Sequence, residues 1–204
     1  MKTVVIINGS NGVGKDTFID LCKESKIPNK GVIWNISTVD KVKTAAKILG
    51  WNGEKDEASR AALHEIKMIA NKYFDSSFSY IKKNVDNQLF DNDIMFVHCR
   101  EPEEIARFKK ELTSESVKVL TLLIKREDTT AANNYADQSV NNYDYDIVIE
   151  NNKDIEALKY SAYKFLENYI YNKVLDKCLL NTIRMGSVMK NIVNNIGKAL
   201  SVWK

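Results

Sequence analysis

Proline is nearly absent: Pro28 and Pro102 are the only two in 204 residues, so no proline-rich linker divides the chain. Cysteine is scarce as well. Cys22, Cys99 and Cys178 are odd in number, far apart and in no C-x-x-C pairing. That argues against a disulfide scaffold or a zinc site, and for a reducing, cytoplasmic setting. Long apolar runs are missing too. Near the N-terminus only residues 4–7 are continuously apolar, too few for a signal sequence and far too few to span a bilayer. Charge of one sign is not in excess: a net +3 is too small to make nucleic acid an expected partner. No repeat period and no low-complexity stretch is visible.

What is present is an ordinary globular mixture, 44% hydrophobic and 28% charged. The length suits one well-buried α/β domain and is short for two. Apolar β-branched runs predict strands over 32–36, 94–97, 117–124 and 147–149, after a first strand at 3–7. Helical spacing predicts helices over 14–22, 38–49, 55–73, 78–89 and 155–175, with Thr38 as a cap, Gly50 as a stop and Pro102 in the first turn of another. In the helix over 55–73, Ala58, Ala62, Ile66, Ile69 and Tyr73 form one apolar stripe. Strands alternating with helices imply a parallel sheet covered on both faces, with ligands at the carboxyl ends of its strands.

The stretch INGSNGVGKDTF, residues 7–18, fits the phosphate-loop pattern G-x-x-x-x-G-K through Gly9, Gly14 and Lys15. It lies between the first strand and a helix, the placement such a loop requires. Glycines there let backbone N–H groups converge on phosphate oxygens, and the helix N-terminus adds partial positive charge. The reading makes Gly9, Asn11, Gly12, Val13, Gly14, Lys15, Asp16 and Thr17 the nucleotide-binding set. Asp16 stands where the pattern wants Ser or Thr, with Thr17 one step later. A carboxylate there repels phosphate directly, so Asp16 faces magnesium or its waters, or only complements the helix dipole. GTPase use is disfavoured, because the nearest match to N-K-x-D, residues 152–155, lacks the final Asp.

The segment GSNGVGKDTF resembles the phosphate loop of phage-type deoxynucleoside monophosphate kinases. LGWNGEKDE with a following Arg, VHCREPEEIARFKK and NYDYDIVIENN are similar to that family's acceptor segment, third-strand segment and last strand. Animal-type phosphomevalonate kinases are similar in fold and in the G-K-D loop. The resemblance spans roughly residues 1–169. It implies a phosphate-loop three-layer α/β sandwich over 1–175, with a five-stranded parallel sheet, an acceptor-binding helical segment over 37–90 and a lid over 125–144. It also implies ATP and magnesium as cofactors, a nucleoside monophosphate as acceptor, or another small phosphorylated acceptor such as phosphomevalonate.

With that chemistry, Lys15, Arg100 and Arg126 are the candidate catalytic residues, and Asp16 and Thr17 the candidate metal ligands. Asp40, Lys43, Asp56, Arg60 and Arg100 are the candidates for acceptor binding. Arg100 follows the third strand and has Glu103 or Glu104 as a competing ion-pair partner. Trp51 offers a base-stacking ring or a core residue, and His64 reads as surface. Related kinases often carry Asp near the end of the third strand, where this chain has His98. That substitution keeps a non-catalytic nucleotide-binding protein as an alternative.

The tail over 176–204 is not covered by the resemblance. From 181 to 204 it has basic residues and no Asp or Glu, with apolar residues at helical spacing. A C-terminal amphipathic helix that docks on the body or forms a homodimer is expected there in preference to one that lies on a membrane.

Overall fold

A computed structural model of the chain describes residues 1–54, 56–127, 140 and 142–171. The lid expected over 125–144 falls largely outside these residues, and the C-terminal helix expected over 176–204 entirely so. Five strands are described: β1 (Lys2–Asn8), β2 (Ile33–Ser37), β3 (Ile94–His98), β4 (Val117–Lys125) and β5 (Ile147–Glu150). Six helices accompany them: α1 (Lys15–Glu24), α2 (Asp40–Ile48), α3 (Glu57–Phe74), α4 (Ser76–Gln88), α5 (Pro102–Leu112) and α6 (Ile155–Phe165), the last followed by a π-helical stretch, Leu166–Tyr171. One compact unit spans Met1–Ala162. A second, Tyr163–Lys204, is described only through Tyr171, where Lys164 pairs with Glu167 at 2.6 Å.

The sheet is entirely parallel, in the order β2-β3-β1-β4-β5. β1 is therefore central, and Val4, Val5, Ile6 and Ile7 are fully buried. Alternation sends Val4 and Ile6 to one face, with Met95, Val97, Val119 and Leu123, against Ile81 and Val85 of α4 and Ile105 and Phe108 of α5. On the other face Phe18 of α1 meets Phe96 edge-on, with ring centroids 6.4 Å apart. Two covered faces make the three-layer α/β sandwich that the alternation of elements implies. The pairs Ile7↔His98, Ser37↔His98 and Asn8↔Leu123 bring four strands to one carboxyl edge.

Two expectations need correction. Thr38 caps nothing: Val39 occupies the N-cap position of α2 without a side-chain bond, and the Asp40 carboxylate accepts the Ser37 N–H at 2.7 Å. More consequentially, α3 is rotated away from the expected stripe. Ala58, Ala62, Ile69 and Tyr73 are exposed, Ile66 is half-buried, and the one fully buried residue of the helix is Lys67.

Lys67 Nζ lies 2.6 Å from Glu101 and 2.8 Å from Glu104, at the start of α5. Asn71 donates to Glu104 at 2.7 Å and accepts the Ser77 N–H at 2.9 Å, and Cys99 Sγ lies 3.5 Å from Glu104. Beside this cluster Arg107 grips Asp75 with two bonds of 2.6 Å and stacks over Phe78. Burial alone would lower the Lys67 pKa, but the two carboxylates hold it above its usual value. Burial alone would raise Glu101, yet Lys67 holds it below, whereas burial and Glu101 keep Glu104 above. These contacts fasten α3 and the α3–α4 corner to α5.

Lys67→Met therefore leaves two carboxylates facing each other without their cation. It should destabilise the fold by about 3 kcal/mol at neutral pH, the low end for a broken buried pair because both carboxylates keep some solvent. The stability that Glu101 gains from Lys67 is present above its unfolded pKa and lost as pH falls through its depressed folded value. The gap between wild type and variant should close in acid. Urea titrations at neutral pH and near pH 3 check both parts, and an undiminished gap in acid would contradict the ion-pair account.

Candidate functional site

The loop between β1 and α1 is shaped by three glycines in left-handed conformations, with φ of +143° at Gly9, +79° at Gly12 and +94° at Gly14. Two of them also allow close approach. A Cβ on Gly9 would sit 2.4 Å from the Ile124 carbonyl oxygen, and one on Gly14 would sit 2.7 Å from Asn151 Nδ2. Gly14 is the N-cap of α1 and offers no side-chain cap. Among the described residues no acceptor takes the N–H groups of Asn11, Gly12, Val13 and Gly14. Val13 is buried beneath the loop while Asn11 and Gly12 face solvent. Lys15 turns back, and its ammonium donates to the carbonyls of Gly9 at 2.5 Å and Ser10 at 2.7 Å.

The loop is gripped from both flanks. Asn8 accepts the Gly9 N–H at 2.8 Å and donates to the Tyr145 hydroxyl at 2.7 Å and to the Arg100 carbonyl at 3.2 Å. Tyr145 in turn donates to the Val140 carbonyl at 3.0 Å, and burial pushes its pKa up to about 12. On the other flank buried Asn151, just past β5, donates to the Val13 carbonyl at 2.9 Å. Its own N–H is bonded to the Lys125 carbonyl at 2.7 Å. Sequence reasoning missed Asn8, Tyr145 and Asn151 as loop supports. Only their places at the ends of β1 and β5 hint at that role.

Asp16 projects from the first turn of α1 with its side chain 79% exposed, and His98 Nε2 lies 3.4 Å from its Oδ1 without hydrogen-bonding alignment. Asn35 Nδ2 approaches the same oxygen at 3.4 Å. Burial, the largest influence, holds His98 below its usual pKa, Lys15 and Lys43 act in the same sense, and Asp16 and Asp40 oppose them. The shift favours the neutral imidazole. Lys15, Asp16, Asp40 and Lys43 are thus all near enough for their charges to act on His98, which is half-buried at this edge. Thr17 is exposed one residue on.

Beyond β4, a cavity of about 240 Å³ is lined by Ser10, Val13, Lys125, Arg126, Glu150 and Asn152, among others. It places Arg126 beside the loop. Arg100 is half-buried at the end of β3, and Glu104, one of its expected competitors, is engaged by Lys67 and Asn71.

The acceptor candidates are less united. Asp56 serves as the N-cap of α3, accepting the Ser59 N–H at 2.7 Å, and that bond holds its pKa below the usual range. Arg60 is exposed; its N–H bonds the Asp56 carbonyl at 3.1 Å, while its side chain makes no hydrogen bond or ion pair among the described residues. His64 is exposed as well. Trp51 is half-buried, its indole N–H donating to the Glu54 carbonyl at 3.0 Å. No hydrogen bond or ion pair joins Asp56 or the Arg60 side chain to the glycine loop among the described residues. No helix of the described residues is long and apolar enough to cross a membrane. No protein-family model matches the chain, and no curated protein matches its sequence.

Asn151→Ala removes the partner of a buried carbonyl, which should cost about 1–3 kcal/mol. A urea denaturation midpoint equal to that of the wild type would mean that the Val13 carbonyl does not depend on Asn151.

Proposed function

We propose that the chain is an ATP-dependent kinase transferring the γ-phosphoryl group to a nucleoside or deoxynucleoside monophosphate, giving the diphosphate. One observation carries this reading. The glycine loop presents N–H groups with no acceptor among the described residues at the N-terminus of α1, with the Lys15 ammonium turned onto it, at the carboxyl edge of a parallel sheet. Converging N–H groups, helix polarity and a fixed cation are what a polyphosphate chain requires.

Phosphoryl transfer asks for little covalent help from a protein. It asks for alignment, cationic charge around the moving group, and exclusion of water. In this reading the loop N–H groups and Lys15 hold the β- and γ-phosphates. Arg100 and Arg126, leaving the ends of β3 and β4, approach from either side. A guanidinium can hold phosphate through two parallel bonds. The family resemblance assigns Arg60 to the acceptor, and Asp40 and Lys43, at the start of α2, border the same pocket. Asp16 and Thr17 offer the oxygen donors that magnesium takes, and a bound ion would neutralise phosphate charge. With neutral His98 at the strand end, the carboxylate duty there falls to Asp16.

Lys15→Ala should cut kcat/KM by at least two orders of magnitude, roughly 2.7 kcal/mol or more of transition-state stabilisation. The fold should survive the change. A coupled assay with ATP, magnesium and each common NMP and dNMP measures it, and near-normal turnover in the variant would overturn the assignment. His98 in place of a carboxylate favours a second reading, a nucleotide-binding protein without turnover. ATP binding with no ADP formed from any acceptor would select that one, and turnover only with phosphomevalonate would select the other kinase class.

Asp16→Asn tests the metal role separately. The magnesium concentration for half-maximal rate should rise while the thermal midpoint stays close to wild type. An unchanged magnesium dependence with a slightly lowered midpoint would leave Asp16 as a helix-dipole residue only.

A further inference from the structure

Helix α3 buries its only buried side chain, Lys67, toward α5 and turns an apolar face outward. On that face Met68 and Ile69 are each 58% exposed and Tyr73 is 67% exposed, with exposed Ala61 and Ala62 one to two turns earlier. A monomeric protein seldom leaves contiguous large apolar side chains on one helix face. Two charges lie within the same face. Glu65 is one turn before the Met68–Ile69 pair and Lys72 one turn after, about 10.5 Å apart along the axis. Glu65 has no ion-pair partner among the described residues, and Lys72 Nζ lies 5.2 Å from the Tyr73 ring centroid.

That arrangement is its own complement. Turned end for end about a point between Met68 and Ile69, the face places its Lys72 where its Glu65 was. A two-fold interface uses one patch twice, so it requires a patch of this kind. We propose that two copies of this chain pair α3 against α3, antiparallel, about a two-fold axis passing between Met68 and Ile69. Glu65 of each copy lies opposite Lys72 of the partner subunit. Met68 packs on the partner's Ile69.

A parallel pairing would set Glu65 against Glu65 and Lys72 against Lys72, so the charges also fix the direction of the pair. A lipid surface is a poorer occupant, since Glu65 would sit in the middle of the inserted face. Successive residues are rotated by 100° on a helix, so Arg60, five residues before Glu65, falls on a different flank and stays open in the dimer.

Sedimentation velocity on the full chain, over a range of concentrations, tests the pairing by mass. Its outcome is independent of the kinase reading. Wild type should sediment as a dimer, and Ile69→Asp as a monomer. Glu65→Lys and Lys72→Glu should each raise the dimer dissociation constant at least about tenfold by setting like charges face to face. The double swap, Glu65→Lys with Lys72→Glu, should recover wild-type association to within about threefold. Because it carries both changes, recovery also excludes misfolding as the cause of the single-variant losses. A wild type that is monomeric throughout, single reversals without effect, or a double swap that fails to recover would each overturn the proposal.

Discussion

Strand β1 takes backbone hydrogen bonds from β3 on one side and from β4 on the other, and this double pairing positions everything at the candidate site. Its register cannot slip. Val4 to Ile7 are buried on both faces, and a shift of one residue would exchange the two packed layers. With the register fixed, Ile7 stands beside His98 and Asn8 beside Leu123. The chain must then leave β1 past the Ile124 carbonyl, so close that only glycine fits at position 9. The loop is thus shaped first by the sheet. Any ligand meets a contour that strand pairing has already imposed.

The side chains around the loop serve the same end. Asn8 and Asn151 take hold of it from opposite flanks, and Tyr145 locks Asn8 in turn. Each of these polar groups is buried or nearly so, where a satisfied bond resists deformation and an unsatisfied one is costly. The loop's ordering entropy is therefore met largely on folding. A bound polyphosphate would find its donors already aimed, which is the condition under which fixed dipoles act most strongly.

The sheet was legible in the sequence because a doubly covered parallel sheet needs continuous β-branched runs, and these stand out over 3–7, 94–97 and 117–124. The glycine loop was legible because its spacing is local. The presence of α3 could be read from its period, but its rotation could not. Periodicity identifies an apolar face and says nothing about whether that face turns inward. Here the rotation is set by Lys67, whose partner Glu104 lies 37 residues away. Asn151 is hidden for the same reason, because the carbonyl it supports is 138 residues distant. Contacts closed only by tertiary structure leave no mark on local spacing.

The rotation of α3 also changes how its stability must be understood. Burying a lysine with two carboxylates contributes little net stabilisation, whereas leaving Met68 and Ile69 each 58% exposed forgoes about 1–2 kcal/mol for each side chain. Leu63, Ile66 and Ala70 stay half-buried on the same side as Lys67. The orientation is kept because Glu101 and Glu104 are fixed at the start of α5, where they would stand without a cation if Lys67 turned away. Three flanks of one helix thereby acquire separate duties. The inner flank ties α3 to the sheet layer through α5, and the flank with Arg60 stays open toward solvent. The outer flank holds the unspent apolar surface. A second copy covering that surface would recover the burial that the lysine forgoes and hold α3 from both sides, leaving Arg60 exposed between the two contacts.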